Sequence, residues 1–424
     1  MVSEKAVFAK TSPEKQHNKA IDVPVSNAIE AAEHIKAIHG VTPTLPVETI
    51  VRDGIVIHLH CKFENVQSMY TFKARGSEWF VYNLMKQYHE KRGMFKSSRD
   101  KPELVTASAG NHAQGVALAA KRYGLTATIF MPITTPDIKK QRVKDMGANI
   151  QLVGEIFDDA LAAARKYKQQ SRLRIFIPPY ENPTVMEGQA SIGVEILSQL
   201  CPIHPAYWRV TNYSWPVPDV IISGLGGGGL LSGIGAVVKD FNAKSGNTIK
   251  LIGVQTELSD PMYQSIKAGK LMQATLVDRK SIADGIAIKH TSERMRLTVK
   301  KYVDQVVSVS EENIIKGMAY LYQHPRLNGD VWDTNENYIP SIPYRKLPNN
   351  VQSLFHRRPL WKVEGAGAAS YAAVVFGDKY GELDWKKLAN GKKKLYVVAI
   401  LTGANIGDET LLELIKDIKR PRDI

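Results

Sequence analysis

Cysteine is scarce in this 424-residue chain: Cys61 and Cys201 are its only two, too few for a disulfide framework or a multi-cysteine metal centre. So few thiols suit a reducing compartment, and a cytoplasmic home is expected. Long apolar runs are missing as well. The first stretch, MVSEKAVFAKTSPEKQHNKAIDVPV, holds no apolar core of signal-peptide length, and no later run approaches about 18 uninterrupted apolar residues, so no membrane segment is expected. Internal repeats, low-complexity tracts and recognised nucleic-acid motifs are absent too.

What is present is an ordinary globular composition, 44% hydrophobic and 23% charged, long enough for two lobes with sizeable cores. Lys and Arg outnumber Asp and Glu by 56 to 42, a formal net charge of +14. The basic residues are scattered, and the densest run, Lys392–Lys394, lies in DWKKLANGKKK. A solvated surface and an anionic small substrate account for such charge, and no nucleic-acid partner is expected.

Residues 1–40 read as a polar arm followed by a short helix, SNAIEAAEHIKAIHG, with Ser26 or Asn27 as its cap and Gly40 as its stop. From Glu103, apolar stretches (ELVTAS, TATIFMP, NIQLVG, RIFIPP) alternate with helical ones (HAQGVALAAKRYG, PDIKKQRVKDMG, EIFDDALAAARKYKQQ). A second series contains PDVIISG, GIGAVVKDF, KLIGVQ and KLYVVAIL. Such alternation predicts an α/β fold of two lobes with parallel-rich sheets, and a ligand crevice at the carboxyl ends of the strands. Two stretches rich in Pro, Asn and aromatics, about 201–218 and 324–360, read as insertions.

Four motifs carry chemistry. In SMYTFKARGSE, Lys73 stands between Phe72 and Ala-Arg-Gly, just after Thr71, a setting that suits a lysine held for covalent work. The turn ISGLGGGGLLSG places Gly226, Gly227, Gly228 and Gly229 between an apolar strand and an apolar helix. Each ordered glycine costs roughly 0.5–1 kcal/mol of backbone entropy, and a phosphate on the bare amides and the helix N-terminus would offset it. Gly224, Gly226 and Gly229 also satisfy a dinucleotide pattern, but the first carboxylate that the next strand, KLIGVQTE, delivers is Glu257, too late for it. In TASAGNHAQGVALAA, Ser108 and Asn111 sit in a strand-to-helix turn whose free donors suit a carboxylate, although either could simply cap the helix. In ILTGANIG, Thr402 emerges from the end of a buried strand.

Together KFENVQSMYTFKARGS, ASAGNHAQGVALAA, NPTVMEGQASIGVEI, GLGGGGLLSG, SIADGIAIK, EGAGAAS and LTGANI, in this order from about Thr42 to Asp408, resemble the fold-type II pyridoxal-phosphate enzymes of the threonine/serine dehydratase group. The resemblance implies the two-lobed, tryptophan synthase β-like architecture, with residues 41–103 and 189–424 in the larger, cofactor-binding lobe and 104–188 in the smaller. It implies that Lys73 anchors pyridoxal 5'-phosphate and serves as base, with Phe72 beside it, and that Asn111 meets the phenolic oxygen. Gly226 to Gly229 with Leu230 would cradle the phosphate, Thr402 would stand by the pyridine nitrogen, and Glu364 of EGAGAAS would complete the cofactor site. Ser108, Ala109, Gly110, Asn111 and His112 would bind the substrate. The implied reaction is removal of the Cα proton and loss of the β-hydroxyl from L-threonine, and from L-serine, giving a 2-oxo acid and ammonia. Other members act on 3-hydroxyaspartate, phenylserine or diaminopropionate, and a non-catalytic cofactor binder is a further alternative.

Departures sharpen these expectations. Ala109 replaces the Ser of racemising members, favouring dehydration, and Ala404 replaces a Gly near Thr402. Gln255 and Pro261 stand where some members place carboxylates for a divalent cation, so no metal is expected, with Glu257 and Asp260 read as surface residues. Arg75 either helps keep the Lys73 amine neutral or points outward. Only ETLLELIKDIKRPRDI follows the last motif, so no C-terminal regulatory domain is expected. The family also implies a homodimer or homotetramer.

Overall fold

The computed structural model describes residues 19–92, 100–201, 216–274, 280–324 and 362–419. Apart from their ends, the two expected insertions lie outside the described residues, as does the start of the N-terminal arm.

Among the described residues ten strands form two sheets. They are β1 (Thr44–Arg52), β2 (Ile55–Lys62), β3 (Glu103–Ala107), β4 (Thr126–Met131), β5 (Asn149–Leu152), β6 (Arg174–Phe176), β7 (Val220–Gly224), β8 (Lys250–Thr256), β9 (Gln305–Val309) and β10 (Lys394–Ile400). The larger sheet runs β1-β2-β10-β7-β8-β9 and the smaller β5-β4-β3-β6. Every pairing is parallel except β1 with β2. Parallel strands need covered faces, and β10 shows how its sequence supplies them. Leu395, Val397 and Ala399 enter one core, while Val398 and Ile400, pointing the other way, enter a second. In the smaller sheet Leu104 and Val105 divide between two further cores in the same manner.

The β1–β2 hairpin is not among the sequence expectations. Its turn is Asp53-Gly54, with φ of 53° and 78°, the left-handed pair that a tight antiparallel hairpin requires. The first described helix also starts earlier than expected. It spans Val25–His39 with Pro24 at the N-cap, and Asn27, instead of capping, donates to Glu187 Oε1 at 3.0 Å. Proline there loses no helical hydrogen bond. The helix Lys73–Arg92 packs between Asn111–Arg122 and Pro183–Leu200. At Gly188 an added Cβ would lie 2.6 Å from Gly76 Cα, so the absence of side chains permits this close crossing.

Candidate active site

A cavity of about 580 Å³ opens where β3, β7 and β10 end, the place where open α/β sheets bind ligands. Phe72 and Lys73, the turn Ser108 to His112, the turn Gly226 to Leu230, and Glu364 and Thr402 all line it. Residues more than 300 positions apart in the chain are thus gathered round one space.

Lys73 is the first residue of its helix, its backbone N–H donating to Thr71 Oγ1 at 3.3 Å. Its Nζ donates to Pro179 O at 2.8 Å and lies 5.1 Å from the centre of the Phe72 ring. Burial without a carboxylate partner brings its pKa down to about 8, because a low-dielectric site disfavours the ammonium form. A neutral amine is therefore accessible near physiological pH.

Two residues before Phe72 the backbone is unusual. Met69 and Tyr70 have φ of 59° and 55°, a left-handed conformation that costs non-glycine residues about 1–3 kcal/mol each. The segment after β10 holds them there. Asn405 Nδ2 donates to Met69 O at 2.8 Å, Ala404 N to Tyr70 O at 2.9 Å, and Phe72 N to Thr402 O at 3.2 Å. The approach to Lys73 is thus fixed from across the larger sheet's end.

Neither Ser108 nor Asn111 caps a helix. Gly110 takes the N-cap position of Asn111–Arg122, and Ser108 Oγ accepts from Gly110 N at 3.2 Å. Asn111 Nδ2 instead donates to Glu364 Oε1 at 2.7 Å. The second oxygen of Glu364 accepts from Asn405 N at 2.8 Å. Burial, together with the negative charge of Asp284, nevertheless pushes the Glu364 carboxyl up to about 7. His112 is buried, which drives its pKa down to about 3, and its Nε2–H donates to Ile177 O at 3.0 Å. It is a neutral, anchored ring. The Thr402 hydroxyl, also buried, donates to Ala366 O at 3.2 Å.

The tetraglycine turn opens the helix Gly229–Ser245, whose first N–H groups lie outside the helical ladder. Gly228 has a φ of 88°, and a Cβ on Gly227 would meet the Tyr180 ring at 2.4 Å. Only bare backbone fits here, and it offers donors and a helix N-terminus to an anion.

Three residues depart from their expected places. Arg75 is fully buried, neither turned outward nor lining the cavity. Its guanidinium pairs with Glu64 at 2.7 Å and Glu195 at 2.6 Å, so its charge is spent within the core. Asp260 is buried, not a surface residue, and burial raises its pKa. Glu257 is half-buried, accepting from Lys379 Nζ at 2.6 Å and from Glu311 N at 2.9 Å. Among the described residues no group of three or more His, Cys, Asp or Glu side chains is arranged to hold a metal. Asn405, Arg142, Lys139, Asp284 and Tyr180, none of them singled out from sequence, also line the cavity. Asn405 lies within the LTGANI segment, which was its one available signal.

The family model for pyridoxal-phosphate dependent enzymes matches residues 35–329. The chain belongs to this family. Among curated relatives, the L-threonine ammonia-lyase of Thermotoga maritima is 36% identical over 349 residues, 82% of this chain and 67% of that protein. The L-threonine ammonia-lyase of Geobacter sulfurreducens is 34% identical over 65% of this chain and 60% of its own length. The chain thus spans about three fifths to two thirds of these relatives. The processed form of threonine deaminase isoform 2 from Solanum lycopersicum superposes with a TM-score of 0.61 at 26% identity, covering 94% of this chain and 95% of that one. For this pyridoxal-phosphate enzyme the cavity's chemistry fits the cofactor: an amine for the carbonyl carbon, an amide for the ring oxygen, and a glycine turn for the phosphate.

Proposed function

We propose that the chain is an L-threonine ammonia-lyase, also acting on L-serine, that releases a 2-oxo acid and ammonia. The observation that carries the reading is Lys73: a half-buried amine, brought down to about 8, facing a cavity closed by the tetraglycine turn. The names of the curated relatives support the substrate.

In this reading Lys73 would hold pyridoxal 5'-phosphate covalently, Gly226 to Gly229 and Leu230 would hold its phosphate, and Asn111, itself held by Glu364, would meet its ring oxygen. Phe72 and Thr402 bound the ring. The cofactor supplies an electron sink conjugated to the substrate's Cα. The Ser108 to His112 turn orients the substrate carboxylate through its backbone donors and the Ser108 hydroxyl. Lys73 Nζ, once free, takes the Cα proton. Hydroxide then leaves Cβ, and the released enamine is hydrolysed to the 2-oxo acid and ammonia. With Ala109 in the turn, no side-chain hydroxyl at that position offers a proton to Cα.

The same reading makes the chain a cytoplasmic homodimer or homotetramer with no required metal, divided into lobes 41–103 plus 189–424 and 104–188. Both cysteines are buried and free, which agrees with a reducing compartment. Among the described residues no helix is long and apolar enough to cross a membrane. The test is release of 2-oxobutanoate from L-threonine and pyruvate from L-serine by the cofactor-loaded protein, alongside 3-hydroxyaspartate, phenylserine and diaminopropionate. Fast turnover of threonine supports the reading; silence on threonine with turnover of another substrate refutes it.

A further inference from the structure

The Asn111 amide has two ends of similar shape and opposite character. Reversed, it would present an oxygen to the cofactor's ring oxygen and repel it. Something must therefore fix its orientation, and a chain of hydrogen bonds across the crevice does so.

It starts at Arg142, on the helix Asp137–Lys144 beside the smaller sheet. A guanidinium can only donate, and Arg142 Nη1 donates to Asn405 Oδ1 at 3.2 Å. That commits the oxygen of Asn405 to Arg142 and turns its Nδ2 the other way. There Nδ2 meets two acceptors, Met69 O at 2.8 Å and Asn111 Oδ1 at 2.7 Å, which use both its hydrogens. Asn111 Oδ1 is thereby an acceptor, and Asn111 Nδ2 donates to Glu364 Oε1 at 2.7 Å. The second oxygen of Glu364 takes Asn405 N. Both Glu364 oxygens thus accept, one from Asn111 and one from Asn405, so the chain runs from a group that cannot accept to one used only as an acceptor. No amide within it can flip without placing like against like. One N–H of Asn111 remains for the cavity.

We propose that Asn405, oriented by Arg142, is the positioning residue that fixes Asn111 with an amide N–H turned toward the cavity. The inference rests on Asn111 meeting the ring oxygen of pyridoxal phosphate, as proposed above. Neither Asn405 nor Arg142 is asked to touch the reacting atoms.

The experiment loads the wild-type protein and the Asn405→Ala, Arg142→Met, Arg142→Lys and Asn111→Ala variants with pyridoxal phosphate, and follows the cofactor's visible absorbance against pH. Each apoprotein is also titrated with the cofactor and unfolded in urea. A donor at the ring oxygen favours its ionised form, so loss of that donor moves the spectral transition upward by roughly half a unit to one unit. Cofactor binding weakens by roughly three- to tenfold. Asn111→Ala and Asn405→Ala are expected to show the shift, Arg142→Met a smaller one, and Arg142→Lys the wild-type transition, since lysine is also a pure donor. A spectral shift without a matching fall in apoprotein stability separates positioning from a general structural role.

An unchanged transition and affinity in Asn405→Ala, with both altered in Asn111→Ala, overturns this proposal alone. No change in either overturns the role of Asn111, and the proposal with it. If Asn405→Ala does not fold, the Arg142 pair decides: a shift in Arg142→Met that Arg142→Lys reverses upholds the proposal, and any other pattern overturns it.

Discussion

Lys73 and Arg75 stand two residues apart on one helix and meet opposite surroundings. Lys73 faces a cavity, with a backbone carbonyl as its hydrogen-bond partner, and burial lowers its pKa to about 8. Arg75 faces a dry cluster in which Glu64 and Glu195 outweigh burial and hold it charged. Lys62 joins that cluster, its Nζ 2.6 Å from Glu195. A buried cation with carboxylates is inert, and a buried cation without one is poised to lose its proton. About half a turn of helix thus separates a cationic group built into the scaffold from one left available for chemistry.

The comparison breaks most sharply at Lys73. Lys73→Ala is expected to lower kcat/KM on L-threonine by at least roughly 10²–10⁴-fold, the range for a lost general base, while urea unfolding of the apoprotein changes little. Arg75→Met should do the reverse, leaving two carboxylates to Lys62 alone and costing about 3–5 kcal/mol of stability, read from the urea midpoint. Glu78, on the same helix, extends the contrast to acid. Burial alone would raise its pKa, but hydrogen bonds from His34 and Tyr123, with His39 beside it, lower it from 4.5 to about 2. A carboxyl with a depressed folded pKa stabilises fully above the unfolded value, and that contribution disappears as pH falls from 4.5 toward 2. On the order of 3 kcal/mol should be lost over this window, and Glu78→Gln should flatten the acid limb of a stability-against-pH curve. The smallest effect belongs to the Lys139–Asp284 pair, 2.7 Å apart with side chains 29% and 62% exposed. Lys139→Ala should change stability by less than about 1 kcal/mol.

Local pattern explains what was legible in the sequence. The tetraglycine turn, the alternating strands and the lysine between Phe72 and Ala-Arg-Gly are contiguous, so composition and spacing reveal them. The surroundings of Arg75 are not local: Glu64 and Glu195, which decide its fate, lie 11 and 120 positions away. Asn405 and Arg142 were missed for the same reason, being 263 positions apart and joined only by the fold. The left-handed Met69 carries no glycine or asparagine signal, since tertiary hydrogen bonds hold it in place. The β1–β2 hairpin does carry a signal, Asp53-Gly54 between alternating apolar residues, a short one beside the long α/β alternation that follows.

Lys73, among the buried and surrounding amines, is the one proposed to bind the cofactor. Borohydride reduction of the pyridoxal-phosphate-loaded protein makes the lysine–cofactor bond permanent, and peptide mapping then locates it. The account predicts a single pyridoxyl group on Lys73. A label on Lys62, Lys139 or Lys289, or no label on a protein that still releases 2-oxo acid, would contradict it.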